Sequence, residues 1–150
     1  MATYPHTYLV RAVGAPTGAV PVSAEALPTL STAPPREFGG PGDLWSPETL
    51  LAAAVVDCFI LTFRAIARAA RLEWVSLDCR IEAVLEPMDG VTQFTQFTTH
   101  ARLVVADGAD PGRAERLLEK AEHGCLIANS LRGARTLETS IAVAPAAPPT

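Results

Sequence analysis

The sequence predicts an α+β fold. β-Rich segments come first, followed by one long apolar helix, a β-hairpin, two further helical segments and a last strand. Long hairpins do not fit a doubly wound parallel sheet, so this order favours α+β over α/β. A chain of 150 residues is large enough for a hydrophobic core, and we expect a single domain spanning residues 1–150.

The segment before the long helix is expected to hold three short strands, at residues 8–13, 19–24 and 27–32. Gly and Pro at residues 14–18 indicate a turn between the first two strands. Residues 34–43 are again rich in Gly and Pro, which is typical of a loop. These patterns place a small β-region ahead of the helix.

The long helix has a strong start signal in Ser46-Pro47-Glu48, an N-cap followed by proline at the first helical position and an early acid. We expect it to end near Leu72. Its first half is apolar on all sides, which predicts protein contacts all round. Its second half carries a solvated stripe of basic residues at helical spacing: Arg64, Arg68 and Arg71.

The second half of the chain alternates strands and helices. Residues 75–86 and 91–106 have the alternation of half-buried strands and flank the turn signal Met88-Asp89-Gly90. Asp110-Pro111 opens a helix expected to reach about Glu122, and residues 125–131 predict another helical turn or two. Residues 136–143 form a last strand, and residues 144–150 a flexible tail.

Composition narrows the classes of partner. The net charge is −4 and the basic residues are scattered, so nucleic-acid binding has no electrostatic support. The N-terminus lacks a leader pattern, and the apolar stretch from Leu50 to Phe63 is short for a bilayer, so we expect a cytoplasmic protein with no membrane partner. The histidines have no metal-binding spacing, so no metal site is expected.

Two of the three cysteines are the candidate reactive groups. Cys58 lies in the apolar helix, and Cys125 lies where the second helical segment breaks. If the fold brings them together, they fit a peroxide-reducing thiol and its resolving partner. The alternative is that both are small buried hydrophobes, as cysteines often are. Cys79 alternates with apolar neighbours on a strand and is expected to pack in the core.

Three segments of the chain resemble a known family. The run from Leu44 to Phe59, with its Pro-Glu pair, Ala-rich stretch and Cys-Phe, resembles the signature of the OsmC/Ohr family of bacterial organic hydroperoxide reductases. The run His123-Gly124-Cys125-Leu126-Ile127-Ala128-Asn129-Ser130, followed by Leu131-Arg132-Gly133, resembles the second-cysteine signature. Residues 34–40 resemble the loop before the long helix, and the element order matches over nearly the whole chain.

The resemblance implies an OsmC-like fold, with antiparallel sheets around long central helices in an intertwined homodimer. It implies reduction of organic hydroperoxides, with Cys58 as the peroxidatic residue and Cys125 as the resolving residue of an intramolecular disulfide. It also implies that no cofactor is bound. An external dithiol, typically a lipoylated protein, is expected to be the reductant.

The resemblance further implies that Glu48 orients an arginine at the peroxidatic thiolate. The family carries that arginine in the first turn, where this chain has Pro16 or a neighbour instead, so Arg11 and Arg36 are the candidates to replace it. Glu48 and Cys58 are ten residues apart, about 15 Å along one helix. We therefore expect Glu48 to serve Cys58 of the partner subunit.

A second function stays open at this point. The chain could form a dimer that keeps the fold and the cysteines but lacks the usual arginine. Such a dimer could bind a small molecule or take part in a stress response, with weak or no peroxidase activity. The residue at position 16 is the main support for this alternative.

Overall fold

The structure is a computed structural model that describes residues 3–146 and 148–149. The chain forms two compact units, one ending at Leu51 and the other beginning at Ala52. The expectation of a single domain stays a prediction. The tail expected from residue 144 includes residues 147 and 150, which lie outside the described residues.

The first unit contains a three-stranded antiparallel sheet in the order β1-β2-β3, with β1 at Arg11–Ala12, β2 at Val20–Ser23 and β3 at Leu30–Thr32. The Thr32 hydroxyl donates to the Val20 carbonyl at 2.9 Å and ties β3 to β2. The first and third strands are shorter than predicted, because only residues 11–12 and 30–32 pair with a neighbour. A 3-10 helix at Arg36–Phe38 lies in the Gly/Pro-rich loop.

Helix α1 spans Pro47–Ala69 and starts where the sequence predicts. Ser46 and Thr49 cap it reciprocally: the Thr49 N–H donates to the Ser46 hydroxyl at 3.1 Å, and the Ser46 N–H donates to the Thr49 hydroxyl at 2.9 Å. The helix ends three residues before Leu72. Arg71 adopts a left-handed conformation with φ 55°, and the Leu72 N–H turns back to the Ala67 carbonyl, which closes the helix.

The second unit contains the rest of α1, strands β4 at Trp74–Met88, β5 at Val91–Val105 and β6 at Ala134–Val143, and helix α2 at Pro111–Gly124. β4 and β5 form the predicted hairpin around Asp89 and Gly90, whose φ values of 52° and 78° are those of a tight two-residue turn. A 3-10 helix follows α2 at Ala128–Ser130. The predicted α+β class is confirmed.

One strand departs from the expected antiparallel arrangement. β6 pairs in parallel with β5, from Gln96 opposite Ala134 to Val105 opposite Val143. The chain between them contains α2, and a helical crossover is the usual connection that allows two strands to run in the same direction. The crossover places the end of α2 just before β6, and Cys125 lies at that end.

The core of the second unit lies between the two helices and one face of the β4-β5-β6 sheet. Phe59 and Phe63 of α1, Leu103 of β5 and Leu118 of α2 are fully buried in one hydrophobic cluster. The alternation of buried and exposed residues along the second half of β5 puts Ala101, Leu103 and Val105 into this cluster. The cluster fixes α2 against α1.

Helix α1 is also apolar enough to cross a membrane by length and composition, with a mean hydropathy of 2.1 over its most apolar stretch. That helix is longer than the stretch from Leu50 to Phe63, so length does not exclude a span. Only 22% of the stretch is buried within the chain. Core helices of soluble proteins can be equally long and apolar, so these properties alone do not identify a membrane span. The expectation of no membrane partner therefore stays a prediction.

Leu118→Ala is expected to lower the free energy of unfolding by about 2–5 kcal/mol, because the substitution leaves a cavity at a fully buried position. Lys120→Ala, at an exposed position on the same helix, is the matched control and should change it by less than about 0.5 kcal/mol. Thermal and urea unfolding of both variants measure the difference. Equal stabilities would contradict the assigned core.

Candidate functional site: a thiol pair between two helices

The two candidate cysteines come together in the second unit. Cys58 lies half-buried near the middle of α1, and Cys125 is the fully buried residue directly after α2. The Cys125 thiol donates to the carbonyl of Val55, one turn before Cys58, at 3.7 Å. Both cysteines are free thiols. The fold therefore packs the break after α2 against the middle of α1.

The end of α2 lies close to the face of α1 that carries Cys58. A Cβ atom added to Gly124 would lie 3.4 Å from the Thr62 methyl group. Val55, Cys58 and Thr62 share one face of α1, since they are spaced by three, four and seven residues. This face of α1 forms one side of the thiol site.

The surroundings of Cys58 favour its thiolate. Burial is the largest influence and opposes ionisation, but hydrogen bonds to the sulfur outweigh it. They come from the Ile127 N–H, the Cys125 thiol (whose single proton then turns from the Val55 carbonyl to the Cys58 sulfur), the Thr62 hydroxyl and the Leu126 N–H, and together they lower the pKa of Cys58. The Thr62 Oγ1 lies 3.9 Å from the Cys58 Sγ. A lowered pKa makes Cys58 the more reactive sulfur at neutral pH.

Cys125 is shifted in the opposite direction. Burial is the largest cause, and the hydrogen bond and negative charge of Cys58 and the carboxylate of Glu122 add to it, so the pKa of Cys125 is raised despite the Ala128 N–H. When one thiol of a close pair is the thiolate, the second is the natural proton donor. The site therefore holds one nucleophilic sulfur beside one protonated sulfur.

A polar network holds the loop that carries Cys125. The Arg135 guanidinium, on β6, donates to the Glu122 carboxylate at 2.9 Å and to the Asn129 side-chain oxygen at 2.7 Å, and it also donates to the Glu122 carbonyl. The Asn129 amide in turn donates to the His123 carbonyl at 3.1 Å. These contacts join residues on both sides of Cys125.

The other predicted site residues lie in the first unit. Glu48 is at the second position of α1, and one of its carboxylate oxygens is buried with no hydrogen-bond partner among the described residues. Arg11 lies in β1 and Arg36 in the 3-10 helix, and both are exposed. Since α1 is continuous, Glu48 and Cys58 of one chain are about 15 Å apart. The roles assigned to Glu48, Arg11 and Arg36 stay predictions.

Cys79 does not belong to the thiol pair. It lies on β4, packs against the hydrophobic cluster and pairs with Ala101 of β5. Burial, together with the charge of Asp78, raises the pKa of Cys79 to about 12. It is a core residue, as its alternation with apolar neighbours predicts.

Four residues that contribute to the site were missed in the sequence: Thr62, Leu126, Ile127 and Arg135. Thr62 was detectable, because a hydroxyl four residues after a helical cysteine lies on the same face. The N–H groups of Leu126 and Ile127 carry no side-chain signal, because any residue type supplies them. Arg135 was not detectable, since its contacts depend on the parallel placement of β6.

Comparison with known proteins supports the assignment of the fold. The chain matches the family model for OsmC-like protein over residues 40–140. The crystal structure of an OsmC-like protein of unknown function from Vibrio cholerae has a TM-score of 0.81 at 17% identity and covers 91% of this chain and 99% of that one. The OsmC-like fold is therefore confirmed.

Relatives named for hydroperoxide resistance are also similar to this chain. An organic hydroperoxide resistance protein of Xanthomonas axonopodis pv. citri is 33% identical over 111 residues, which cover 69% of this chain and 70% of that protein. The uncharacterized protein YmaD of Bacillus subtilis is 28% identical over 112 residues, or 73% and 75% of the two chains.

A crystal structure of an organic hydroperoxide resistance protein OsmC from Legionella pneumophila has a TM-score of 0.73 at 28% identity and covers 94% of this chain and 100% of that one. The family model and the Xanthomonas relative each match about two thirds of the chain or more. The chain belongs to the OsmC/Ohr family.

Proposed function

We propose that this protein is a thiol-dependent peroxidase that reduces organic hydroperoxides. The observation that carries the proposal is the contact of two free thiols whose pKa values move apart, that of Cys58 downward and that of Cys125 upward. A peroxidatic cysteine has to be a thiolate at working pH, and a resolving cysteine has to lie within its reach. Relatives named for organic hydroperoxide resistance supply the substrate class.

The reaction proceeds in two displacements at sulfur. The Cys58 thiolate attacks the terminal oxygen of the hydroperoxide, an S–O bond forms, the O–O bond breaks, and the alcohol leaves after taking up a proton. Cys58 is then a sulfenic acid. The Cys125 sulfur, having lost its proton, attacks the Cys58 sulfur, an S–S bond forms, and water leaves. Cys58 and Cys125 end as a disulfide.

An external dithiol restores the pair by thiol–disulfide exchange and is itself oxidised to a disulfide. The net reaction converts one hydroperoxide and one dithiol into an alcohol, water and a disulfide. No bound cofactor takes part, and a lipoylated protein is the proposed reductant. The cycle suits a reducing compartment such as the cytoplasm.

The second subunit of a homodimer completes the proposed site. Much of α1 is apolar but only partly buried within the chain, and a second copy would cover it. The buried carboxylate oxygen of Glu48, unpartnered among the described residues, suits an arginine donor, for which Arg11 and Arg36 are the candidates. In this arrangement Glu48 of one chain serves Cys58 of the partner subunit.

A second candidate is a dimer that binds a small molecule, with weak or no peroxidase activity. It is favoured by Pro16, which occupies the turn where the family arginine is expected. Without a cation beside the thiolate, the leaving alkoxide loses a source of electrostatic stabilisation. Stopped-flow kinetics with cumene hydroperoxide separate the two candidates, since a fast reaction abolished by Cys58→Ser supports the enzyme.

Oxidation of the intact protein tests the disulfide. One equivalent of cumene hydroperoxide should lower the mass of the chain by about 2 Da and remove two of its three thiols, because disulfide formation releases two hydrogens. Cys58→Ser should abolish the reaction. Cys125→Ser should leave Cys58 as a sulfenic acid that dimedone traps, and Cys79→Ala should behave as the wild type. Three unchanged thiols would refute the peroxidase.

The pH dependence of alkylation tests the order of the two sulfurs. Iodoacetamide reacts with thiolates, so a lowered pKa moves the onset of reaction to lower pH and a raised pKa moves it to higher pH. In the protein with all three cysteines, with each alkylated site identified by peptide mass, Cys58 should be half-ionised below the pH of an ordinary thiol, about 8.5. Cys79, with a pKa raised to about 12, is the internal reference. Ionisation of Cys125 before Cys58 would contradict the assigned roles.

Mixed dimers test the action of Glu48 on the partner subunit. Glu48→Ala and Cys58→Ser homodimers should both have low peroxidase activity. Mixing and refolding them should restore activity, because one site then pairs an intact Cys58 with an intact Glu48 from the other chain. No recovery, with heterodimers verified by native mass spectrometry, would show that Glu48 does not act across the interface.

A further inference from the structure

The loop that contains Cys125 is fastened at both ends by one side chain of the last strand. Arg135 donates to the Glu122 carboxylate at 2.9 Å and to the Glu122 carbonyl before the loop, and to the Asn129 oxygen at 2.7 Å after it. The side chains of Arg135 and Glu122 are only 24% and 17% exposed, so solvent screens this pair less than an open surface pair. The contact is charge-assisted and geometrically specific.

Asn129 links this contact to the backbone of the loop itself. The Asn129 N–H donates to the Cys125 carbonyl at 2.9 Å, and the Asn129 side chain donates to the His123 carbonyl at 3.1 Å. Asn129 is thus bonded both to Arg135 and to the backbone on either side of Cys125, so the position of Arg135 affects the position of those residues. Displacing Arg135 would release the Asn129 side-chain oxygen and the Glu122 carboxylate at once, and would leave the Glu122 carbonyl with the Cys125 N–H as its donor, at 3.4 Å.

The ion pair of Arg135 with Glu122 also sets the charge next to the Cys125 sulfur. The Glu122 carboxylate faces Cys125 and disfavours its thiolate. The guanidinium of Arg135 offsets that negative charge at the carboxylate itself. Removing Arg135 would therefore both loosen the loop and leave an uncompensated anion next to the sulfur that has to lose a proton.

We propose that Arg135 is a positioning residue for Cys125: by holding Glu122 and Asn129 it sets the rate at which Cys125 closes the disulfide with Cys58. The inference rests on the proposed function only for the pairing of the two cysteines, and not for the peroxide. Cys125 still makes the resolving attack, and Arg135, which lies outside both cysteine segments, controls its rate.

DTNB, an aromatic disulfide, tests the inference without a peroxide. In a Cys79→Ala background, Cys58 attacks DTNB, forms a mixed disulfide and releases one coloured aromatic thiolate. Cys125 then loses its proton, attacks the Cys58 sulfur, forms the protein disulfide and releases the second thiolate. The first phase reports the reactivity of Cys58, and the second reports closure by Cys125.

Measured above the pKa of Cys58, where loss of the Leu126 and Ile127 N–H bonds no longer changes its ionisation, Arg135→Met should slow the second phase roughly tenfold or more while the first phase changes little. The reason is that a displacement of about 1 Å can cost about a hundredfold in rate. Arg135→Lys should recover part of the rate, since one ammonium can replace some of the donors. Arg102→Met, at an exposed position on the neighbouring strand β5, is the matched control and should leave both phases unchanged. A melting temperature for each variant separates slow closure from unfolding.

An unchanged second phase in folded Arg135→Met would overturn the inference. If Arg135→Met does not fold, Asn129→Ala decides, because it removes the other tie of the same loop: slow closure supports the inference, and unchanged closure overturns it. Release of a single thiolate by the parent protein would refute the pairing of Cys58 with Cys125, and the inference with it. Two normal phases in a protein inert to cumene hydroperoxide would reject the peroxidase alone.

Discussion

The chemistry of this protein depends on the packing of the end of α2 against the middle of α1. Cys125 is fully buried there and hydrogen-bonds to the Val55 carbonyl, one turn from Cys58. Gly124 lies in the same contact, where an added Cβ would come within 3.4 Å of the Thr62 methyl group. The hydrophobic cluster below, with Phe59, Phe63 and Leu118, fixes the distance between the two helices. The thiol pair is thus a product of core packing.

The opposite behaviour of two chemically identical groups follows from their surroundings. Both sulfurs are penalised by burial, but Cys58 also faces backbone N–H groups of the loop after α2, whereas Cys125 faces the charge of Glu122 and of Cys58 itself. Hydrogen bonds from fixed donors favour the anion in the first case, and nearby negative charge disfavours it in the second. The difference in environment gives each sulfur a separate part in the proposed reaction.

Local signals predicted the elements well, and long-range pairing explains most departures. The capping residues Ser46 and Pro47 located the start of α1, and the Asp89-Gly90 turn located the hairpin, because both depend on neighbouring residues only. The parallel course of β6 was not predictable, since it depends on where the crossover through α2 returns.

In the candidate site, too, the residues marked by local sequence patterns were predictable and those brought in by the tertiary fold were not. The motifs single out Cys58 and Cys125, and a helical repeat would have indicated Thr62. The backbone donors of Leu126 and Ile127 and the guanidinium of Arg135 could not be read from the sequence, because they reach the site through the tertiary fold.

The parallel pairing of β5 with β6 has a consequence for biosynthesis. A parallel strand cannot join its neighbour until the whole crossover has formed, and such non-local contacts form slowly. β6 also leaves the ribosome after the other strands and helices that the structure describes, and it carries the Arg135 side chain that holds the Cys125 loop. A nascent chain thus exposes two unpaired thiols with no defined geometry between them. The proposed redox pair is therefore organised only as β6 docks, and a chain that lacks β6 has the cysteines without the side chain that holds the Cys125 loop.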